Sequence, residues 1–488
     1  MALSAWRLAT LALADYDLSF DEAQYWLWAQ QPAFGYYSKP PLIAWLIAAT
    51  TALCGDGESC IRLAAPLLHA GAAVFIWRAA ARLFDATVGA WAGAIYLSVP
   101  GVSLSSTLIS TDAPLLFFWS AAFYFLVRLD RDARGQGRFG LGLGLGLGLG
   151  LALGLGLLSK YAMAYFLFGL GVYLKIAPEA RQTLAGKRML GPMVVALLLL
   201  APNLAWNLDH GFATFGHTVD NVNFAASALH PVALVEFFSA QFGVFGPIPF
   251  AVLLTVSAQA WRRRLDRNGL DRNERLLLAF TLPVLVLMLG LSLVTRAHAN
   301  WAAVSYVTGS ILVARWLVGR GDFRLLKLIL ASHLVILLAL TAFATGDPRE
   351  SPQIAAIARL DPYQRMRGWK EFAGVVQRLW IAHGRPVILA DERKHLVEFA
   401  YYLRDERLAL VKWNPEGKVH DHFDLTVDLS VLAESGRALL ITRHANANHV
   451  RGFFKRVVPL WGAMGPGDRA AYYAYRLEGY QSPGGDGQ

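Results

Sequence analysis

The sequence predicts a polytopic α-helical membrane protein that continues into a small C-terminal α/β domain. Of its 488 residues 55% are hydrophobic and only 16% are charged, against about 25% charged in an ordinary soluble domain. Apolar runs close to the ~20 residues that cross a bilayer as a helix fill the chain as far as Phe343. Basic residues gather between alternate pairs of those runs, as the positive-inside rule expects of cytoplasmic loops. The same composition excludes intrinsic disorder, which requires a chain poor in apolar residues. The formal net charge of +10 is a topology signal and not a nucleic-acid signal, because nucleic-acid binding needs Lys and Arg gathered on a folded basic face.

Taken in order, residues 1–14 (MALSAWRLATLALA) are apolar but too short for a normal span. They also lack the small-residue cleavage site of a secretory leader. The topology still requires a crossing before residue 15, so the expectation is a short or tilted first helix, or a natural start upstream of Met1. Further spans are expected near 62–84, 87–109, 112–128, 139–158, 161–175, 190–206, 232–258, 276–295, 300–316 and 325–343. That makes about 11 transmembrane helices, with the N-terminus inside and the C-terminus outside. The cytoplasmic clusters are Arg78 and Arg82; Arg128, Arg131, Arg134 and Arg138; Lys175, Arg181, Lys187 and Arg188; Arg262, Arg263, Arg264, Arg267, Arg272 and Arg275; and Arg315, Arg320, Arg324 and Lys327.

The GLGLGLGLGLG run at 140–150 is low complexity. Small residues permit close contact between membrane helices, and a slippage-prone coding repeat accounts for the run equally well, so no chemistry is assigned to it. Cys54 and Cys60, the only cysteines, bracket CGDGESC in the first outer loop. In an oxidising compartment they can close a disulfide; two free thiols near a helix end are the alternative. From about residue 345 charges return, with 20 basic and 17 acidic residues. There RPVILADERKHLVEFAYYL reads as a strand and then a helix, RALLITRH as a strand, and AAYYAYRLEGY as a final strand before a flexible SPGGDGQ tail. The expected domains are 1–344, membrane-embedded with an outer loop over 15–61, and 345–488, soluble and on the outer side. The second contains no phosphate-binding glycine loop and no metal-spaced Cys/His set; His420, Asp421, His422 and Asp424 suggest a metal site at first sight, but a solvated polar loop is the preferred reading.

Ionisable groups at membrane depth are costly and mark function by default. With the cytoplasmic clusters set aside, the outer membrane face keeps Asp21, Glu22, Lys39, Asp112, Lys160 and Arg296. They are scattered in sequence and brought to one face by the topology. Asp21 or Asp112 can accept a proton from a hydroxyl, while Lys39, Lys160 and Arg296 can hold a phosphate. A carboxylate beside cations that steady a phosphate leaving group fits sugar transfer from a lipid phosphate. Fixed cations stabilise the charge that grows on the phosphate as the bond breaks, and the anomeric carbon becomes oxocarbenium-like.

The segment DEAQYWLWAQQPAFGYYSKPPLIAW (21–45) resembles the first outer loop of membrane glycosyltransferases of the GT-C fold. More narrowly, it is similar to the bacterial protein-mannosyltransferase-like group that includes the aminoarabinose transferase of lipid A. LISTDAPLLFFW (108–119), GLGLLSKYAM (154–163), PNLAWNLDHGFATF (202–215), QFGVFGP (241–247) and TRAHANWAAVSY (295–306) continue the resemblance in order over roughly 15–345. The DE pair, KPP and TDAP are specific together and weak singly. By this resemblance Asp21 is the general base with Glu22 supporting it, and Asp112 is a second catalytic or acceptor-positioning carboxylate. Lys39 and Lys160 hold the donor phosphate, Arg296 is a looser match near the donor, and Tyr36 and Tyr37 line the sugar pocket. Each position also has a structural alternative. Asp21 and Glu22 suit a solvated loop, Lys39 a snorkelling side chain, Thr111 and Asp112 before Pro114 a helix start, Lys160 a helix anchor, and the tyrosines an interfacial belt. His210, His217 and His298 are poorer candidates, as loop histidines are usually structural.

The resemblance implies a multi-pass glycosyltransferase of the bacterial inner (plasma) membrane, with its active site and C-terminal domain in the periplasm. It would transfer one sugar from a polyprenyl-phosphate-linked donor (undecaprenyl phosphate being the bacterial carrier) to an acceptor hydroxyl, with inversion in a single displacement. Lipid A or other lipopolysaccharide ranks first as acceptor, ahead of a capsule glycan, a glycolipid or a protein Ser/Thr. The expected partners are donor, lipid or glycan acceptor and membrane lipids, with no nucleic acid. No cofactor is expected, since the cations can stabilise the phosphate unaided, although a divalent metal is compatible with the set. The competing class is a lipid-linked sugar transporter or flippase. Transporters usually place their sites near the midplane within repeated halves, and no repeat of the DE or KPP pieces is found here.

Overall fold

The computed structural model describes residues 2–133, 139–184, 186–222, 229–265, 269–295, 297–348, 355–466 and 471–481. The chain forms two compact units. A helical unit comprises Met1–Leu13, Lys39–Leu46 and Arg62–Ala342, and a sheet-bearing unit comprises Ala14–Ser38, Ile47–Ile61 and Phe343–Gln488. The expected boundary at 344/345 kept residues 15–61 with the membrane helices, whereas most of that loop groups with the C-terminal region. Aromatic packing is the reason. Tyr16 stacks on Tyr363 with ring centroids 4.2 Å apart, and Trp26 meets Tyr401 edge-on at 5.0 Å. Trp26 Nε1 donates to Asp56 (2.7 Å), and the Tyr402 hydroxyl donates to Glu58 (2.8 Å) while accepting from Leu18 N (2.7 Å).

Among the described residues six helices are long and apolar enough to cross a membrane: Glu58–Leu83, Asp112–Asp132, Gly142–Ser159, Arg188–Asp209, Arg272–Val294 and Phe323–Thr345. Pro231–Val244 and Pro247–Arg263, bent by 114°, make a seventh if they form one span. The other expected spans fall on shorter or broken helices. The first is Ala2–Ala12. The second breaks into Ala86–Ser98 and Pro100–Ser105, because Pro100 offers no N–H and pushes Val99 to extended backbone. Arg7, buried on the first helix, donates to the Leu97 carbonyl and to Ser103 Oγ at this break. The runs at 161–175 and 300–316 open as the 3-10 turns Tyr161–Met163 and Ala299–Ala302 before Ala164–Ile176 and Ser305–Gly319.

Glycine sets two close approaches in this unit. A Cβ on Gly150 would stand 2.7 Å from the Pro192 carbonyl oxygen, and one on Gly154 would stand 2.6 Å from Leu199. This part of the repeat therefore lets the helix Phe139–Ser159 lie directly on Lys187–Asp209. Gly144, earlier in the run, meets nothing within 4 Å. Gly246 makes the 114° bend with φ +98°, and a Cβ there would fall 2.2 Å from His333 Nε2. The interior is closed by apolar and aromatic side chains, among them Trp119, Phe166 and Phe280, whose rings meet at 4.8–6.3 Å. At the other end of Asp112–Asp132, Asp130 accepts from Arg272 and Thr183, and Arg272 Nε reaches the Tyr173 hydroxyl at 3.1 Å.

The sheet-bearing unit holds five strands: β1 (Val387–Ala390), β2 (Leu410–Lys412), β3 (Arg437–Thr442), β4 (Phe454–Met464) and β5 (Tyr472–Tyr480), in the order β2-β1-β3-β5-β4. β1 runs parallel to both β2 and β3, while β5 is antiparallel to β3 and β4. Period-two alternation divides the core. Ile388, Leu439 and Ile441 pack with Trp369, Phe372 and Phe399 on one face; Val387, Leu389 and Leu440 pack with Leu432, Trp413 and Phe454 on the other. Burial on both faces explains the unbroken apolar runs VILA and ALLI. The expected strands at 387–390, 437–442 and 472–480 and the helix Arg393–Tyr402 are present. β2 and β4 went unread, being respectively very short and an edge strand interrupted by Pro459.

Candidate active site

In the helical unit the polar motifs converge on Asp112, the first residue of Asp112–Asp132. Lys160 Nζ lies 2.7 Å from its Oδ1, and Asn300 Nδ2 donates to its Oδ2. Thr111, in the N-cap position, makes no side-chain cap, and Asp112 in the first turn directs its carboxylate to its two side-chain partners. Lys160 is delivered by the break after Phe139–Ser159, where its own backbone is extended (φ −162°, ψ 132°). Only 15% of the Asp112 side chain and 23% of the Lys160 side chain are exposed, so each charge depends on the other. Lys39, in the same unit, adds its positive charge to the surroundings of Asp112 behind the nearer Lys160. Next to Lys160, Tyr161 donates to Asn203 Oδ1 at 2.8 Å, accepts from Asn207 Nδ2 at 3.3 Å, and stacks on Phe215 at 4.7 Å. TDAP, SKYAM, PNLAWN and AHANW thus build one polar cluster. Arg296 lies outside the described residues. His210 is held on Trp206, by stacking at 4.0 Å and by an Nδ1 contact of 2.8 Å to the Trp206 carbonyl.

Asp21 and Glu22 belong to the sheet-bearing unit, on the helix Phe20–Ala29. Glu22 N donates to Ser19 Oγ (3.3 Å) and Ser19 N donates to Glu22 Oε2 (2.9 Å), which makes a capping box. Glu22 is buried in that role. The Asp21 side chain is half exposed, and Arg393 Nη2 approaches it at 3.3 Å. Arg393 also reaches Gln24 Oε1 at 3.5 Å and lies over the Phe20 ring at 5.5 Å. A half-solvated pair of this kind contributes about 0–1 kcal/mol, so Asp21 is held in place without being locked.

The tyrosines differ from the expected pocket lining. Tyr36 stacks on Trp28 at 4.6 Å, donates to the Trp28 carbonyl at 3.0 Å and accepts from Ala33 N at 2.9 Å. Burial pushes its phenol up to about 12. It is a core tyrosine and presents no open face to a sugar. Tyr37 is also buried, with its hydroxyl 3.5 Å from the Val419 carbonyl. Cys54 and Cys60 are joined as a disulfide, with Cα atoms 5.9 Å apart. The expected solvated loop at 420–424 is corrected as well: Lys412 Nζ sits 2.7 Å from the carboxylates of both Asp421 and Asp424, and both acids are largely buried. Among the described residues no group of three or more His, Cys, Asp or Glu side chains is arranged to hold a metal.

Two polar residues escaped the sequence reading. Asn300 lies inside the quoted AHANW segment but carries no charge, and only charge was traced at the membrane face. Arg393 follows β1, on the far side of the assumed domain boundary from Asp21.

The family model for dolichyl-phosphate-mannose-protein mannosyltransferase matches residues 38–206, the stretch that contains Lys39, Asp112 and Lys160. The lipid A galacturonosyltransferase RgtD of Rhizobium johnstonii is 34% identical over 428 residues, covering 87% of this chain and 86% of that protein. The crystal structure of ArnT from Cupriavidus metallidurans in the apo state matches with a TM-score of 0.66 at 16% identity, over 98% of each chain. ArnT from the same organism bound to undecaprenyl phosphate matches with a TM-score of 0.66 at 15% identity, over 97% of this chain and 96% of that one. At these identities the two crystal structures speak for the fold.

Proposed function

The chain belongs to the protein-mannosyltransferase-like glycosyltransferases of GT-C fold, and from that premise we propose that it transfers one sugar from a polyprenyl-phosphate carrier to a hydroxyl of lipid A. The reaction takes place at the periplasmic face of the bacterial inner membrane. The acceptor follows the curated relative, a lipid A galacturonosyltransferase, and that relative makes a uronic acid the first candidate sugar. The carrier follows ArnT, solved with undecaprenyl phosphate. The observation that carries the reading is the Asp112 carboxylate set between Lys160 and Asn300.

In this proposal Asp21 takes the proton from the acceptor hydroxyl as its oxygen attacks the anomeric carbon. The bond between that carbon and the phosphate oxygen breaks, its electron pair stays on the lipid phosphate, and the sugar inverts. Asp21 suits the base because its contact with Arg393 is long and half solvated. Lys39, Lys160 and Arg296 offset the charge that develops on the departing phosphate. Lys160 spends one of its three N–H donors on Asp112 and can turn another toward a phosphate oxygen. Asp112 and Asn300 keep that ammonium in place, and Glu22 acts by holding the helix that carries Asp21.

The test is reconstitution of the purified protein with a polyprenyl-phosphate-linked uronic acid and lipid A, the product being read by mass spectrometry. The wild type adds one sugar; Asp21→Asn leaves lipid A unmodified while binding the carrier, and Lys39→Ala leaves lipid A unmodified with the carrier bound more weakly. Transfer by Asp21→Asn at the wild-type rate contradicts the assignment of Asp21.

A further inference from the structure

The sheet order β2-β1-β3 places a topological switch point beside β1: the chain leaves β1 to one side for β2 and returns on the other side as β3. In open α/β sheets the crevice outside the carboxyl ends of the strands at such a point is where ligands bind. Here the carboxyl ends of β1 and β3 carry ADER and TRH, and their side chains form one cluster. Asp391 accepts from Thr442 Oγ1 and lies 3.0 Å from His449 Nε2. The His444 ring is 4.7 Å from that of His449, and His444 N donates to Thr442 Oγ1 at 3.1 Å. Arg443 is half exposed and approaches Glu392 only at 3.9 Å. The acids of the cluster already have partners, Asp391 in His449 and Thr442 and Glu392 in Lys394. The outward-facing capacity is therefore the Arg443 guanidinium as donor, with the His444 ring beside it, and the second ring nitrogen of His449 as an acceptor once its Nε2–H is given to Asp391.

We propose that this crevice binds an anionic sugar headgroup, phosphorylated or carboxylate-bearing, of the acceptor. The proposal rests on the glycosyltransferase reading and extends it to acceptor recognition. A guanidinium matches phosphate or carboxylate oxygens, and the aspartate that takes the Nε2–H of His449 leaves its other nitrogen to accept a sugar hydroxyl. The crevice adjoins Asp21 within one unit, because Arg393, two residues after Asp391, is the residue that contacts Asp21. A headgroup held on Arg443 and His449 would thus sit against the β1 loop, whose Asp391 and Glu392 they contact and whose Arg393 steadies the proposed base.

The experiment uses the full chain in nanodiscs saturated with undecaprenyl phosphate, which fills the proposed donor site, with glucose 1-phosphate, galacturonate and glucose as probes in saturation-transfer NMR. The expected result is a signal from one or both anions and none from glucose, lost in the Arg443→Gln/His449→Gln double variant and kept in Asp112→Asn. Which anion binds separates phosphate from carboxylate recognition. In the transfer assay the single variant Arg443→Gln raises KM for the acceptor about tenfold, equivalent to ~1.4 kcal/mol of binding, with kcat and the donor KM unchanged. Equal anion signals in wild type and double variant, no anion signal in the wild type, or a rise in the donor KM in place of the acceptor KM overturns the proposal. A wild type that binds the anions but transfers no sugar leaves this crevice intact and contradicts the transferase reading instead.

Discussion

Asp112 accepts from Lys160 on one oxygen and Asn300 on the other, and substitutions there separate folding from chemistry. Lys160→Met leaves a largely buried carboxylate without its cation, a change that costs about 3–5 kcal/mol. Lys160→Met should therefore lower the melting temperature and abolish transfer, whereas Asn300→Asp should lose transfer through charge repulsion with the cation kept. Tyr36→Phe tests the tyrosine's core position. The variant removes the hydroxyl that accepts from Ala33 N and donates to the Trp28 carbonyl, at about 1–3 kcal/mol, so stability falls while the transfer rate per folded molecule is unchanged. His395 supplies a pH test in the sheet-bearing unit. Burial pushes its imidazole from 6.5 down to about 4, and its Nε2 contacts the Tyr472 hydroxyl at 3.1 Å. A folded value below the unfolded one means the contribution is complete above pH 6.5 and is lost as pH falls toward 4, on the order of 3 kcal/mol. Thermal unfolding followed from pH 7 to pH 4 should show that loss in the wild type and a flatter profile in His395→Gln. At this scale the charged candidates were legible because charge at membrane depth is rare. Their pairings were not, since Lys160 and Asp112 lie 48 positions apart and the uncharged Asn300 gives no such signal.

The elements show why hydropathy alone misplaces ends. Runs at 87–109 and 232–258 read as single spans, yet Pro100 and the Gly246-Pro247 step break them. Breaks of this kind are tolerated at membrane depth only where the freed backbone finds other partners, which Arg7 provides at the first of them. The glycine run divides in the same physical terms. Gly154→Leu must push Leu199 and Ala196 away and should destabilise the protein by about 1–3 kcal/mol. Gly144→Ala, which meets open space, should be neutral or stabilising by up to ~1 kcal/mol through helix propensity. Differential scanning of the two variants in one detergent decides between a packing role and an idle repeat. In the sheet, strands buried on both faces were legible as apolar runs; the edge strand β4, with Pro459, Lys455 and Arg456, was not.

On the scale of the whole molecule, the composition that marked a membrane protein also concealed its division. The aromatic residues near 25–45 suit an interfacial belt by sequence, yet Trp26 buries its ring against Tyr401, as Tyr16 before them does against Tyr363. Asp21 therefore belongs with Arg393 in the sheet-bearing unit, while Asp112, Lys39 and Lys160 belong to the helical unit. The most direct measurement is sugar transfer to lipid A in proteoliposomes by wild type, Asp21→Asn and Arg393→Gln, each with the carrier-linked sugar supplied. Wild type should add one sugar, Asp21→Asn none, and Arg393→Gln should slow transfer by loosening the hold on Asp21. Full transfer by Asp21→Asn, or release of the lipid-linked sugar across the bilayer without transfer, would contradict the proposed mechanism.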